Sequence, residues 1–254
     1  MSSKLNWLLQ NTLPGDLVLQ SWMTRHGISP SLAHKYAQNG WLNKLRAGVY
    51  ARAGRQPEWS DAVFCLQHQL SIPVRLAGLS SLSYQGRSHY LQLVQKQVWL
   101  TVEGKESLPK WFREFPGVEW LTISGLKLSN PGEKYLTKCE VSSKTLTAST
   151  PELAAYEILS AVPGNISFEH AAELFQGLVS LNPRKVQYLL SVSQSVQTKR
   201  LYLFFADYYQ HAWGKKLEAE HIDLGAGKRQ LIPEGKLDKR YQITIPEAFY
   251  NKEN

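Results

Sequence analysis

Along the N-terminal stretch, apolar residues fall repeatedly on one side of a helical period. Leu5, Leu8, Leu9 and Leu13 make one face of a short helix that begins at Lys4 and is interrupted by Pro14-Gly15-Asp16. Leu17, Val18, Trp22 and Met23 continue the spacing and predict a second helix, closed by Gly27, which tolerates the left-handed conformation of a tight turn. Ile28 is then placed to plug a core. Ser29-Pro30 starts a third helix: the hydroxyl can accept from an otherwise unpaired backbone N–H, and proline at the first helical position forfeits no hydrogen bond. This helix runs to about Asn39, with Gly40 just past its end. Its inner stripe is Leu32, Ala33 and Tyr36, while Ser31, His34, Lys35 and Gln38 line the opposite face at i, i+3, i+4 and i+7.

The pattern then changes to that of strands. Trp41 to Leu45 and Val49 to Arg52 predict a hairpin turning through Arg46-Ala47-Gly48, with Lys44 and Arg46 at the tip and Arg52 and Arg55 at the exit. Two helices, a capped third helix and a basic hairpin, in that order, are the plan of a winged helix-turn-helix. In that plan the third helix enters the major groove, where Ser31, His34, Lys35 and Gln38 meet base edges or phosphates, and the hairpin cations meet the adjoining phosphates. Ile28, Leu32, Trp41 and Tyr50 are expected to be core.

Charge supports this reading because of where it sits. The chain carries +8 in 254 residues, and the segment from Met1 to Gln56 holds Lys4, Arg25, Lys35, Lys44, Arg46, Arg52 and Arg55 against Asp16 alone, a net +6 that leaves +2 for the remainder. Residues 1–56 are therefore expected to form a DNA-binding domain and residues 57–254 a larger, nearly neutral one, an α+β protein altogether. In the second part, Trp59 to Leu70, Gly78 to Gln85, Pro151 to Val162 capped by Thr150, a helix opened by Ser167, and Pro183 to Val192 read as helices. Strands are expected at Gln97 to Val102, Val118 to Ser124, Cys139 to Leu146, Ala219 to Leu224, Arg229 to Ile232 and Gln242 to Ile245. The aromatic run Phe204, Phe205, Tyr208, Tyr209 and Trp213 reads as core first and as a base-stacking platform of an RNA-binding module second. Lys228 and Arg229, in a glycine-rich turn, are further candidates for nucleic-acid contact.

Composition narrows the alternatives. With 43% hydrophobic and 20% charged residues the chain is an ordinary globular protein, and it has neither a secretory leader pattern nor an apolar run long enough to span a bilayer. Cys65 and Cys139 stand far apart without ligand spacing, so neither disulfides nor a metal site nor any other cofactor is expected, and a reducing cytoplasm suits them. Glu103-Gly104-Lys105 after a strand matches half of a metal-dependent nuclease site, but the other carboxylates at hand, Glu58 and Asp61, lie on or before a helix. Gly225-Ala226-Gly227-Lys228 lacks the spacing of a phosphate loop, and no nucleophile elbow or HExxH is present, so no catalysis is expected.

Several segments together resemble the AbiEi family of antitoxins from type IV toxin-antitoxin systems. They are Gly27-Ile28-Ser29, Tyr36-Ala37-Gln38-Asn39-Gly40-Trp41-Leu42, Gly48-Val49-Tyr50, and Gly78-Leu79-Ser80-Ser81-Leu82-Ser83-Tyr84-Gln85-Gly86 before His89-Tyr90. The similarity continues through Ser149-Thr150-Pro151-Glu152-Leu153-Ala154 and Gly225-Ala226-Gly227-Lys228-Arg229 to Tyr241-Gln242-Ile243-Thr244-Ile245-Pro246, almost the whole chain. The resemblance implies a winged helix-turn-helix followed by an α/β antitoxin domain. It implies repression of the protein's own operon through inverted repeats in its promoter. It further implies neutralisation of a co-encoded nucleotidyltransferase-like toxin without a stable complex, in the setting of phage defence by abortive infection. Onto the family's DNA-binding module fall Ser31, His34, Lys35 and Gln38 in the helix and Lys44, Arg46 and Arg52 in the wing.

Overall fold

The computed structural model describes residues 4–86, 97–104, 106–123, 127–128 and 132–250. His89, Tyr90, Lys105 and Ser124 lie outside them. The first elements are α1 (Lys4–Gln10), β1 (Leu17–Leu19), α2 (Gln20–Arg25), α3 (Pro30–Gln38), β2 (Leu42–Arg46) and β3 (Val49–Arg52). They are followed by α4 (Trp59–Gln69), β4 (Val74–Leu76), α5 (Gly78–Tyr84), β5 (Gln97–Val102), α6 (Lys110–Arg113), β6 (Glu119–Ile123), β7 (Leu136–Val141) and β8 (Lys144–Ser149). The chain continues with α7 (Pro151–Ser160), α8 (Phe168–Gln176), α9 (Pro183–Val192), α10 (Val196–Tyr208), β9 (Lys236–Asp238) and β10 (Ile243–Ile245). Three sheets result, in the orders β1-β3-β2, β6-β5-β4-β8-β7 and β10-β9, with β4 and β8 parallel through Leu76 and Ala148.

Two compact units share the chain. One comprises residues 1–75, 96–121 and 138–147, the other residues 76–95, 122–137 and 148–254. In the first, Leu8, Val18, Met23, Ile28, Ala33, Tyr36, Leu42 and Tyr50 form one buried cluster, so the apolar stripes of three helices and the inner faces of the hairpin meet as their periods require. In the second, the aromatic run is core: Phe205 lies between Phe168 and Phe175 at centroid distances of 4.9 and 5.4 Å, and Phe204, Tyr202 and Trp213 are buried with them. Burial of Phe204 and Phe205 removes them as a stacking platform.

Several local expectations need correction. Leu17 and Val18 belong to a strand, not to the second helix, which starts only at Gln20. Three buried apolar residues fit either period, and the decision comes from far along the chain: Leu17 to Leu19 pair antiparallel with Ala51 to Val49, while the Gln69 side chain accepts from Leu19 N at 2.9 Å and donates to Leu17 O at 2.6 Å. The single strand expected from Cys139 to Leu146 is two, β7 and β8, joined through Ser142 at φ 53° and Ser143, a turn without the usual glycine or asparagine. Ala219–His221 is a 3-10 turn, and Arg229 makes only an isolated bridge to Ile243. Ser167 caps α8 by accepting from His170 N at 3.1 Å, whereas Thr150, at the same position before α7, leaves its hydroxyl buried without a partner. Trp41 is 39% exposed and is not core. It follows the end of α3, with its N–H donating to Tyr36 O at 2.9 Å, and the alternation of β2 turns Leu42 inward instead.

Candidate nucleic-acid interface

Local chemistry places α3. The turn before it closes through Ile28 N–H donating to Met23 O at 2.9 Å, with Gly27 at φ 78°, where a side chain would strain the backbone. Ser29 accepts from Leu32 N at 3.3 Å and shares a 2.9 Å hydroxyl–hydroxyl hydrogen bond with Ser31, so the cap and the first turn are one polar unit. Ala33 and Tyr36 are buried and Leu32 half-buried, which fixes the helix by its apolar stripe. Ser31, His34, Lys35 and Gln38 all remain exposed on the other side.

The wing is less uniform than its sequence. β2 and β3 pair antiparallel with a register shift between Lys44 and Arg46, a bulge that leaves Leu45 exposed, and Gly48 takes φ 71° in the turn. Lys44 is exposed. Arg46 donates to the Glu114 carboxylate, and that contact holds the Glu114 carboxyl below its ordinary range, helped by the charges of Lys110 and Arg113. Arg52 lies over the Trp41 ring at 5.8 Å and donates to Ala53 O at 3.4 Å. Arg55 grips Asp61 with both terminal nitrogens, at 2.7 and 2.8 Å, and packs so tightly under Gly15 that any Cβ there would collide with its guanidinium. Lys44 therefore stands open to solvent, while the other three wing cations already have partners within the chain.

The first unit also holds a buried ionic cluster that sequence patterning did not find. Lys144 is 3% exposed, donates to Asp16, and has Asp61 at 3.9 Å, the same Asp61 that Arg55 holds. Asp16 also accepts from Leu13 N at 2.9 Å. Two acids and two bases thus satisfy one another inside the first unit, and Asp16, the lone acid of the N-terminal segment, spends its charge on Lys144. No spacing announces a pair separated by 128 residues.

The remaining candidates divide differently. Lys228 is exposed, and Arg229 is half-buried with its main chain tied to Gln242 O at 2.9 Å and Thr244 N at 3.0 Å. Both belong to the second unit, away in sequence from the helix and wing. Glu103 is paired with the buried Arg75 at 2.6 Å, Asp61 accepts from Glu58 N at 2.7 Å at the start of α4, and Glu58 accepts from Ser142 Oγ at 2.8 Å. Lys105 lies outside the described residues. Among the described residues, no group of three or more His, Cys, Asp or Glu side chains is arranged to hold a metal ion, and no helix is long and apolar enough to cross a membrane.

A helix packed by one face, a polar outer face and a twisted hairpin beside it define a winged helix-turn-helix protein of the α+β class. Residues 1–93 match the N-terminal domain of the transcriptional regulators described as AbiEi antitoxin, and residues 95–246 match the transcriptional regulator, AbiEi antitoxin, of type IV toxin-antitoxin systems. The chain belongs to the AbiEi antitoxin family. Its fold is similar to that in the crystal structure of the Rv2827c protein from Mycobacterium tuberculosis, with a TM-score of 0.60 and 16% identity, over 95% of this chain and 90% of that one. At that identity the likeness concerns the fold alone. No curated protein matches the sequence.

Proposed function

We propose that this chain is a cytoplasmic repressor of its own promoter and the antitoxin to a co-encoded nucleotidyltransferase-like toxin, which it neutralises without forming a stable complex, as part of abortive phage defence. In the DNA half of this reading, residues 1–56 bind inverted repeats, α3 lies in the major groove, and Lys44, Arg46 and Arg52 face the flanking phosphates. The observation that carries it is the exposure of Ser31, His34, Lys35 and Gln38 along one side of α3, whose other side is anchored in the core. The antitoxin half is supported by the family to which the chain belongs.

The protein acts by binding and not by catalysis. This is supported by the description of the family as transcriptional regulators and by the engagement of Glu103 with Arg75 and of Glu58 and Asp61 with the start of α4 and its neighbours. A gel-shift titration on the promoter upstream of the gene tests the DNA half. The expected result is a sequence-preferring complex that weakens steeply with salt; failure to form one on any upstream fragment defeats it. Co-expression with the product of the adjoining gene, scored by growth, tests the antitoxin half.

A further inference from the structure

We propose that the surface offered to the duplex continues from the wing onto α6, with Lys110 and Arg113 as additional phosphate contacts and Glu114 as an internal anion that a phosphate displaces from Arg46. The inference rests on the DNA-binding reading and extends it to residues far outside the N-terminal segment. It starts from Arg46. Its guanidinium engages Glu114 twice, through the side-chain carboxylate and, from Nη2, through the main-chain oxygen at 3.4 Å. The wing tip is thereby coupled to the end of α6 within one compact unit.

The carboxylate of Glu114 is shared. Lys110 Nζ lies 3.7 Å from its other oxygen, and Arg113 adds to the field that keeps it ionised. Three cations thus surround one acid, an excess that invites a further anion. All the parts are accessible: the side chains of Arg46, Glu114 and Lys110 are 44%, 46% and 77% exposed, and Arg113 is exposed too. An ion pair this open to solvent is weak and easily exchanged. A phosphodiester carries the same single charge as the carboxylate, so Arg46 can exchange one for the other without losing a charged partner.

The helix that presents these cations is firmly seated. Phe112 is fully buried and stacks on Trp120 at 4.2 Å, while Trp120 Nε1 donates to Phe112 O at 2.7 Å. Lys110 and Arg113, three residues apart, share the side of the turn opposite Phe112.

The test is a salt titration of binding to a promoter duplex by the full chain and four variants. Lys110→Ala/Arg113→Ala should weaken binding to specific and random duplex alike and lower the slope of log K against log salt by about 1–2, near 0.9 for each phosphate no longer neutralised. Glu114→Gln, which keeps shape and removes charge, should tighten binding about 2–5-fold, the size of a weak surface pair. Lys215→Ala/Lys216→Ala removes equal charge from exposed residues elsewhere and should leave the slope unchanged. Lys35→Ala reports on the recognition helix. An unchanged slope in the α6 double variant while Lys35→Ala weakens binding overturns the inference and spares the reading beneath it. The Lys215/Lys216 variant matching the α6 variant, or Glu114→Gln weakening binding, overturns it equally. Should the unaltered chain form no salt-sensitive complex, both fall together.

Discussion

Lys35 in the N-terminal region and Arg200 in the C-terminal region carry the same charge, yet Lys35 stands in solvent on α3 and Arg200 is buried in α10. Around Arg200 the glycine-rich turn is wrapped: its guanidinium donates to Leu224 O at 2.8 Å, Gly225 O at 2.9 Å, Gly227 O at 2.6 Å and Gln242 O at 3.1 Å. Those four acceptors are all main-chain carbonyls, and burial, with Arg229 nearby, pulls the Arg200 pKa down. The turn that holds Lys228 and Arg229 thus takes its shape from an internal cation. On α3 and at the wing tip, Lys35 and Lys44 are presented outward; around residues 224–242 a cation is the scaffold. A count of Lys and Arg treats the two alike, and only burial tells which is available to an external anion.

Replacement of Arg200 attacks the scaffold side of this contrast most strongly. Arg200→Leu should cost about 3–5 kcal/mol, because several charge-assisted hydrogen bonds of about 1.5–3 kcal/mol each vanish together and do not add fully; urea unfolding measures it. A loss within about 0.5 kcal/mol, the range of an ordinary surface change, would erase the distinction. Lys144→Met comes next, at about 3 kcal/mol, since the buried Asp16 loses the cation it pairs with and Asp61 keeps Arg55 alone. An Asp16→Asn partner change should recover part of that loss in a double-mutant cycle.

On the outward side, Lys35→Ala should leave stability within about 0.5 kcal/mol and lower the salt slope of DNA binding by about 0.9, whereas Gln38→Ala should relax preference at one or two base pairs. Equal losses on specific and random duplex would show that Gln38 positions the helix without reading sequence. The smallest effect concerns His211, whose ring bonds Phe175 O at 2.8 Å and stacks on Trp213. Burial lowers its pKa, and the Phe175 contact opposes this without winning. The folded value therefore lies below the unfolded value of about 6.5, so the unfolded chain takes up the proton first. Its contribution is whole above that pH, shrinks as pH falls toward the folded value, and then levels. A His211→Gln variant should flatten that part of the unfolding profile; a profile identical to the parent's refutes the assignment.

Much of the N-terminal region is legible because its decisive signals are local. Ser29-Pro30 marks the start of α3, Gly27 and Gly48 mark the turns, and the stripe containing Ala33 and Tyr36 follows from a period read within one helix. What escapes is decided at a distance. Leu17 to Leu19 become a strand because β3 and the amide of Gln69 claim their main chain, and Lys144 becomes an internal cation because Asp16 and Asp61 close on it. Arg52 ends β3 and Arg55 lies just beyond it, but neither the ring under the one nor the carboxylate held by the other is visible from composition. The hairpin of β7 and β8 escapes for another reason, since Ser142 adopts a positive φ that its residue type does not advertise. The family resemblance reached farther than local patterning, because it draws on many short segments at once.

The order β1-β3-β2 puts β3 in the middle of its sheet, so the hairpin is not a free ribbon hanging from a hinge. A tug on the turn at Arg46 to Gly48 is carried down β3 into β1, and from there into Gln69 at the far end of α4. Mechanical load from a bent or sliding duplex would be spread over a stitched seam rather than borne by the loop, and a short strand that resembles a helix on paper is what anchors the seam.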